Sequence, residues 1–160
     1  MKLYPDTKRR SLMKALLAGV TLPLLPAGVV AAAKPQITMY KTAGCGCCKD
    51  WIVHLEQNGF TVVAHDVPGT GPYRERYGVP RALASCHTAV IDGYAIEGHV
   101  PAEEIKRLIA EKPKARGLSV PGMPVGSPGM ELDGERRDAF DVVLFDDAGG
   151  RQVYRHYDAR

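Results

Sequence analysis

No uninterrupted run of about 20 apolar residues, the length needed to cross a bilayer, occurs in the 160 residues. The most apolar stretch, residues 15–30, is broken by Pro23 and Pro26, which speaks against a membrane-spanning anchor. Internal repeats, coiled-coil heptads and low-complexity tracts are also missing, so solenoid and fibrous architectures are set aside. There is no phosphate-cradling glycine loop, no Ser-His-Asp order and no paired-carboxylate motif, and no catalytic residue stands out. A basic footprint for nucleic acid is lacking as well. Five of the 21 basic residues but only one of the 18 acidic ones fall within residues 1–33, which leaves residues 34–160 with a net charge of −1. What remains is an ordinary globular composition, 45% hydrophobic and 24% charged, incompatible with disorder or collagen and sized for one domain.

The first 33 residues read as a cleavable export signal. Lys8, Arg9, Arg10 and Lys14 precede the apolar stretch, and Ala31-Ala32-Ala33 offers a small-x-small cleavage site. Arg9-Arg10-Ser11-Leu12-Met13-Lys14 is similar to a twin-arginine signal, with general secretory export as the other route. No cysteine follows the cleavage site, so nothing supports a lipid anchor. The expected product is residues 34–160, a single domain, soluble in a bacterial periplasm and free of the membrane.

Within that domain, Gln36–Tyr40 and Thr61–Asp66 are β-prone, and residues 48–58 carry Trp51, Ile52 and Leu55 at helical spacing before Gly59. A short helix is expected around Tyr73–Tyr77. Thr88–Ile91 and Tyr94–Glu97 flank Asp92-Gly93, a strong two-residue hairpin signal. Pro101 opens a helix to about Glu111 with Glu103 and Glu104 in its first turn, an order that suits the helix dipole. Residues 113–135 are expected to be a long loop. A last hairpin pairs residues 141–145 with 152–157. The order β-α-β-α-β-β-α, with a Cys-x-x-Cys opening the first helix, predicts an α/β, thioredoxin-like fold bearing a C-terminal β-hairpin and a long methionine-containing loop.

Three of the four cysteines lie in Cys45-Gly46-Cys47-Cys48, at the expected strand-to-helix turn. Unpaired amides and the positive dipole end stabilise thiolates there, and thiolate is both the nucleophile of disulfide exchange and a soft metal ligand. Gly46 is read as keeping side chains from crowding the ligands. In this topology the third strand runs antiparallel beside the first, so Cys86, just before it, should face that turn. His99, just past the fourth strand, returns to the same rim. Structural disulfides, a redox pair Cys45/Cys48 and a metal thiolate site are all open. Three cysteines within four residues staple little, which favours metal.

Met123 and Met130 sit in a Gly/Pro loop with no helical face to bury them. Thioether beside thiolate selects Cu(I) over hard cations, and the loop is long enough to cross back over the thiols. Met39 is expected in the core. Of the other histidines, His87 is held in reserve, because strand alternation would turn it to the opposite face. His54 is expected to be solvated, and His65 and His156 have no ligand-spaced partner. Glu131, Asp133, Glu135 and Asp138 read as a solvated charged loop.

The segments Tyr40–Trp51, Ser85–Ala89, Glu97–Pro101 and Pro121–Glu131 together resemble, in order, the exported thioredoxin-like copper-resistance proteins called CopG and their wider set of metal-binding relatives. The resemblance spans about residues 36–131. It implies a periplasmic protein of copper tolerance that binds more than one Cu(I) through bridging Cys45, Cys47, Cys48 and Cys86, with His99, Met123 and Met130 as terminal or capping ligands. Copper ions, and other periplasmic copper-handling proteins, are the implied partners. Redox activity on copper is a further implication. The competing expectation is a thiol–disulfide oxidoreductase working through Cys45 and Cys48.

Overall fold

Strand β1 (Gln36–Lys41) alternates strictly, burying Ile37 and Met39 and turning Thr38 and Tyr40 outward. It leads into α1 (Gly46–Gln57), whose Trp51 and Leu55 return over the same face of the strand. The computed structural model describes residues 33–132 and 136–160. The expected export signal (all but Ala33), Asp133 and Glu135 lie outside them. After α1 come β2 (Thr61–Asp66), α2 (Gly71–Arg76), a 3-10 turn (Arg81–Leu83), β3 (Thr88–Ile91), β4 (Tyr94–Glu97), α3 (Ala102–Glu111), β5 (Gly117–Ser119), β6 (Phe140–Phe145) and β7 (Arg151–Tyr157).

The seven strands form one sheet in the order β2-β1-β3-β4-β5-β6-β7. Two βαβ units make the parallel pairs, β1 with β2 across α1 and β4 with β5 across α3. The remaining pairs are antiparallel. Asp92 and Gly93 both adopt positive φ, 48° and 85°, as a tight β3–β4 turn of the primed kind demands.

Alternation divides the core between the two faces. Ile96 joins the larger cluster with Ile37, Met39, Trp51, Leu55, Ile105, Leu108 and Leu118. Its neighbour Ala95 joins a smaller one with Val79, Leu83 and Phe145. The terminal hairpin docks on α3 through Tyr157, which donates to Glu103 at 2.6 Å, and Tyr154, which donates to Glu111 at 3.0 Å.

The architecture departs from the sequence reading in three places. Residues 113–135 are not loop throughout, because Gly117–Ser119 pairs between β4 and β6. A Cβ on Gly117 would run into the Ala95 backbone, so glycine is what lets this strand close on β4. Helix α1 begins at Gly46 rather than Cys48, which draws Cys47 and Cys48 into its first turn. Gly46 itself guards no crowded space: a Cβ there would meet nothing within 4 Å.

Candidate metal centre

Cys45 is the N-cap of α1 and offers no side-chain cap, and the helix has no acidic residue in its first turn. The first-turn amides therefore have no partner in a capping or acidic side chain of the helix itself. Cys45 and Cys48 form a disulfide, with Cα atoms 5.3 Å apart, while Cys47 and Cys86 are free thiols. Cys47 Sγ lies 3.7 Å from Cys45 Sγ, and Cys86 Sγ lies 3.7 Å from Cys48 Sγ. All four sulfurs fall within 4.8 Å of one another. Cys48 belongs to the buried core, whereas the other three are half-buried at its edge.

Two histidines complete the cluster. His99 Nε2 is 3.1 Å from Cys86 Sγ. Its Nδ1 lies 2.7 Å from the carbonyl oxygen of Pro128, so Nδ1 carries the proton and donates, and Nε2 keeps its lone pair toward the sulfur. His87, the reserve residue, is fully buried, with Nδ1 3.2 Å from Cys86 Sγ and 3.5 Å from Cys48 Sγ. Alternation misdirects it because β3 starts one residue later, at Thr88. Its ring stands 4.3 Å from that of Trp51, and its Nε2 has no partner among the described residues.

The segment carrying Cys86 is fixed by a buried ion pair on the α2 face. Glu97, with no exposed surface, accepts from Arg74 Nε at 2.8 Å, from the Ser85 amide at 2.7 Å and from Thr88 Oγ1 at 2.6 Å. Arg74 also donates to the Ser85 carbonyl at 2.8 Å. Gly98, between Glu97 and His99, has φ 72°, and a Cβ there would stand 2.6 Å from Ser85 Cβ and from the Val120 oxygen. The chain therefore has one way to pass from the anchoring carboxylate to the ligand-bearing histidine.

The loop after β5 does cross back. The Gly122 amide bonds Ala84 O at 3.0 Å, and its carbonyl accepts from Ser85 Oγ. Farther on, Pro128 holds His99, and Gly129 lies so close to α1 that a Cβ would stand 2.6 Å from the Trp51 amide nitrogen. Met130 is half-buried beside this contact, whereas the Met123 side chain is 54% exposed.

His54 is half-buried rather than fully solvated. Its Nε2 accepts from the Ala102 amide at 3.1 Å and so caps α3. His156, without a partner in the sequence reading, lies 2.6 Å from Asp141 and 3.4 Å from Asp158. Of the acidic loop residues, Glu131 accepts from the Gly129 amide and Asp138 from the Val125 amide, so both brace the loop.

Burial sets the protonation states. It pushes the Cys86 thiol up to about 12, with Cys47 adding to the effect, so a metal arriving there must displace a proton. Burial also lowers His87 far below the ordinary histidine value, and lowers His99 and His54. Unfolding in mild acid thus takes up protons that the fold excludes, and stability must rise with pH in that window. The metal-free protein is expected to lose stability as pH drops below about 6.5, by up to about 2.7 kcal/mol per pH unit for His87 and His99 together. His156, raised by its hydrogen bond to Asp141, acts weakly in the opposite sense. Urea denaturation at a series of pH values checks this, and a flat profile above the carboxylate range would contradict it.

Soft sulfur and neutral imidazole in one half-buried cluster can hold a soft or borderline metal ion. Among the described residues, no helix is long and apolar enough to cross a membrane. Residues 83–130 match the family described as "Protein of unknown function, DUF411", and no curated protein matches the chain. Two solved structures of the copper resistance protein CopG, Form 1 and Form 2, are each 49% identical and align with a TM-score of 0.74, over 78% of this chain and 98% of that one. With that identity over nearly the whole length of the relative, and with the matched region spanning Cys86, His87, His99 and the returning loop, this chain belongs to the CopG copper-resistance family.

Proposed function

We propose that this protein is a periplasmic copper-binding protein of copper resistance, holding more than one Cu(I) in a cysteine-bridged site. The observation that carries this reading is the convergence of Cys45, Cys47, Cys48 and Cys86 within 4.8 Å, beside His99 Nε2. A thiolate can bridge two Cu(I) ions, so four clustered sulfurs favour several ions over one. His99 then serves as a terminal ligand, and Met130 and Met123 as capping thioethers from the loop. Met123 must swing inward from its exposed position to do so. Thioether adds to Cu(I) binding but little to Zn(II) binding. The sheet order β2-β1-β3-β4, with the Cys-x-x-Cys turn after β1, supports a thioredoxin-like assignment for the scaffold.

Because Cys45 and Cys48 are joined, full copper loading requires a two-electron reduction that releases both sulfurs as thiolates. The same disulfide favours a second reading, a thiol–disulfide oxidoreductase using Cys45 and Cys48. Anaerobic titration of the fully reduced protein separates them. More than one Cu(I) per chain is expected, with negligible turnover of the metal-free protein in a disulfide-reduction assay. Zero Cu(I) bound by reduced protein rejects the copper reading, and turnover surviving in Cys86→Ser favours the enzyme.

A further inference from the structure

With Cys45 and Cys48 locked together, two of the four sulfurs can no longer serve as thiolates, yet a second set of donors is untouched. Cys86 Sγ, His87 Nδ1 and His99 Nε2 lie within 4.8 Å of one another, at 3.2 and 3.1 Å from the sulfur. We infer that the disulfide form keeps a distinct one-ion site made of Cys86, His87 and His99, suited to a divalent borderline ion such as Zn(II) or Cu(II) rather than to a Cu(I) cluster. The inference deepens the copper-binding reading and rests on it for the role of the pocket.

Two features single out this triad. One thiolate with two imidazoles is a donor set that suits Zn(II) and Cu(II) and is harder than the all-sulfur group. Both histidines are fully buried and held toward the sulfur, His99 by the Pro128 carbonyl and His87 by its position against Trp51. Bonds of about 2.3 Å to sulfur and 2.0–2.1 Å to nitrogen place tetrahedral donors about 3.6 Å apart. The triad thus needs to open by about 0.4 Å, which a small rotation of the half-buried Cys86 side chain provides. On binding, the Cys86 S–H gives its proton to solvent, a metal–sulfur bond forms, and no electron changes hands. Three protein donors leave one coordination position for water or an exchanging ligand.

The two metal states share Cys86 but differ in every other cysteine they use. Disulfide formation therefore exchanges a many-ion soft site for a one-ion harder one.

The test is titration of the disulfide-intact protein with Co(II), followed by competition with Zn(II). One Co(II) per chain is expected, with thiolate-to-cobalt charge transfer in the near ultraviolet and intense tetrahedral bands in the visible. Cys86→Ser should remove the charge transfer. His87→Gln and His99→Gln should each weaken binding by about tenfold or more, whereas Cys47→Ser should leave the affinity within about twofold. Absence of the charge-transfer band in the unaltered protein overturns the inference even where a variant fails to fold, as does a Cys47→Ser loss equal to that of Cys86→Ser. The copper reading is judged separately on reduced protein. Cu(I) uptake there together with no Co(II) site in the disulfide form defeats only the inference made here.

Discussion

Arg74→Met is expected to destabilise the protein by about 3–5 kcal/mol, the usual result of removing one partner from a buried ion pair. Glu97 has no solvent to turn to, and its carboxylate would keep only neutral donors, the Ser85 amide and the Thr88 hydroxyl. Burial already pushes the Glu97 pKa upward, and loss of the guanidinium pushes it further. A proton on Glu97 relieves the unpaired charge, so the destabilisation should be largest near neutral pH and shrink as the solution is acidified. Adding Glu97→Gln to Arg74→Met should recover part of the loss, because the amide keeps one acceptor without the charge. Urea denaturation of the unaltered protein and the two variants measures this. A loss below about 1 kcal/mol would place the pair with solvent-exposed ion pairs and contradict the burial described above.

The second large effect is expected at Gly129. Gly129→Ala puts a methyl group 2.6 Å from the Trp51 amide nitrogen and 2.9 Å from the Cys47 oxygen, at a φ of 82°. Both contacts are backbone in the first turns of α1 and cannot rotate away. The loop must lift, at a cost of about 1–3 kcal/mol, and Pro128 leaves His99. Metal affinity should fall by about tenfold, the low end for removing the partner that orients a ligating histidine. Proteolysis within residues 121–130 should speed up in parallel. Unchanged affinity together with unchanged proteolysis would show that the loop does not hold the site.

The contrast between these two positions shows what the sequence could reveal. The meeting of Cys86 and His99 with the Cys45–Cys48 turn followed from strand order, because topology brings strand ends together whatever their side chains. The boundaries of β2, β3 and β4 followed from β-prone composition and from Asp92-Gly93. Arg74 and Glu97, 23 residues apart, carry no local pattern that would pair them. His87 is only a reserve ligand by strand alternation, because one residue of strand boundary decides the direction of a side chain. β5 stayed hidden because a buried three-residue strand beginning with glycine shows no alternation. The capping role of His54 depends on how α1 lies against the start of α3, which is a matter of tertiary packing.

Trp51, the chain's one tryptophan, is fully buried, donates its indole N–H to the Val100 carbonyl at 2.9 Å, and has its ring 4.3 Å from that of His87. Its fluorescence therefore arises from a single fixed emitter at the wall of the donor cluster. A paramagnetic ion seated there quenches that emission at contact range, while a closed-shell ion perturbs it only through the neighbouring imidazole. The protein thus carries an intrinsic optical probe of which kind of ion has entered.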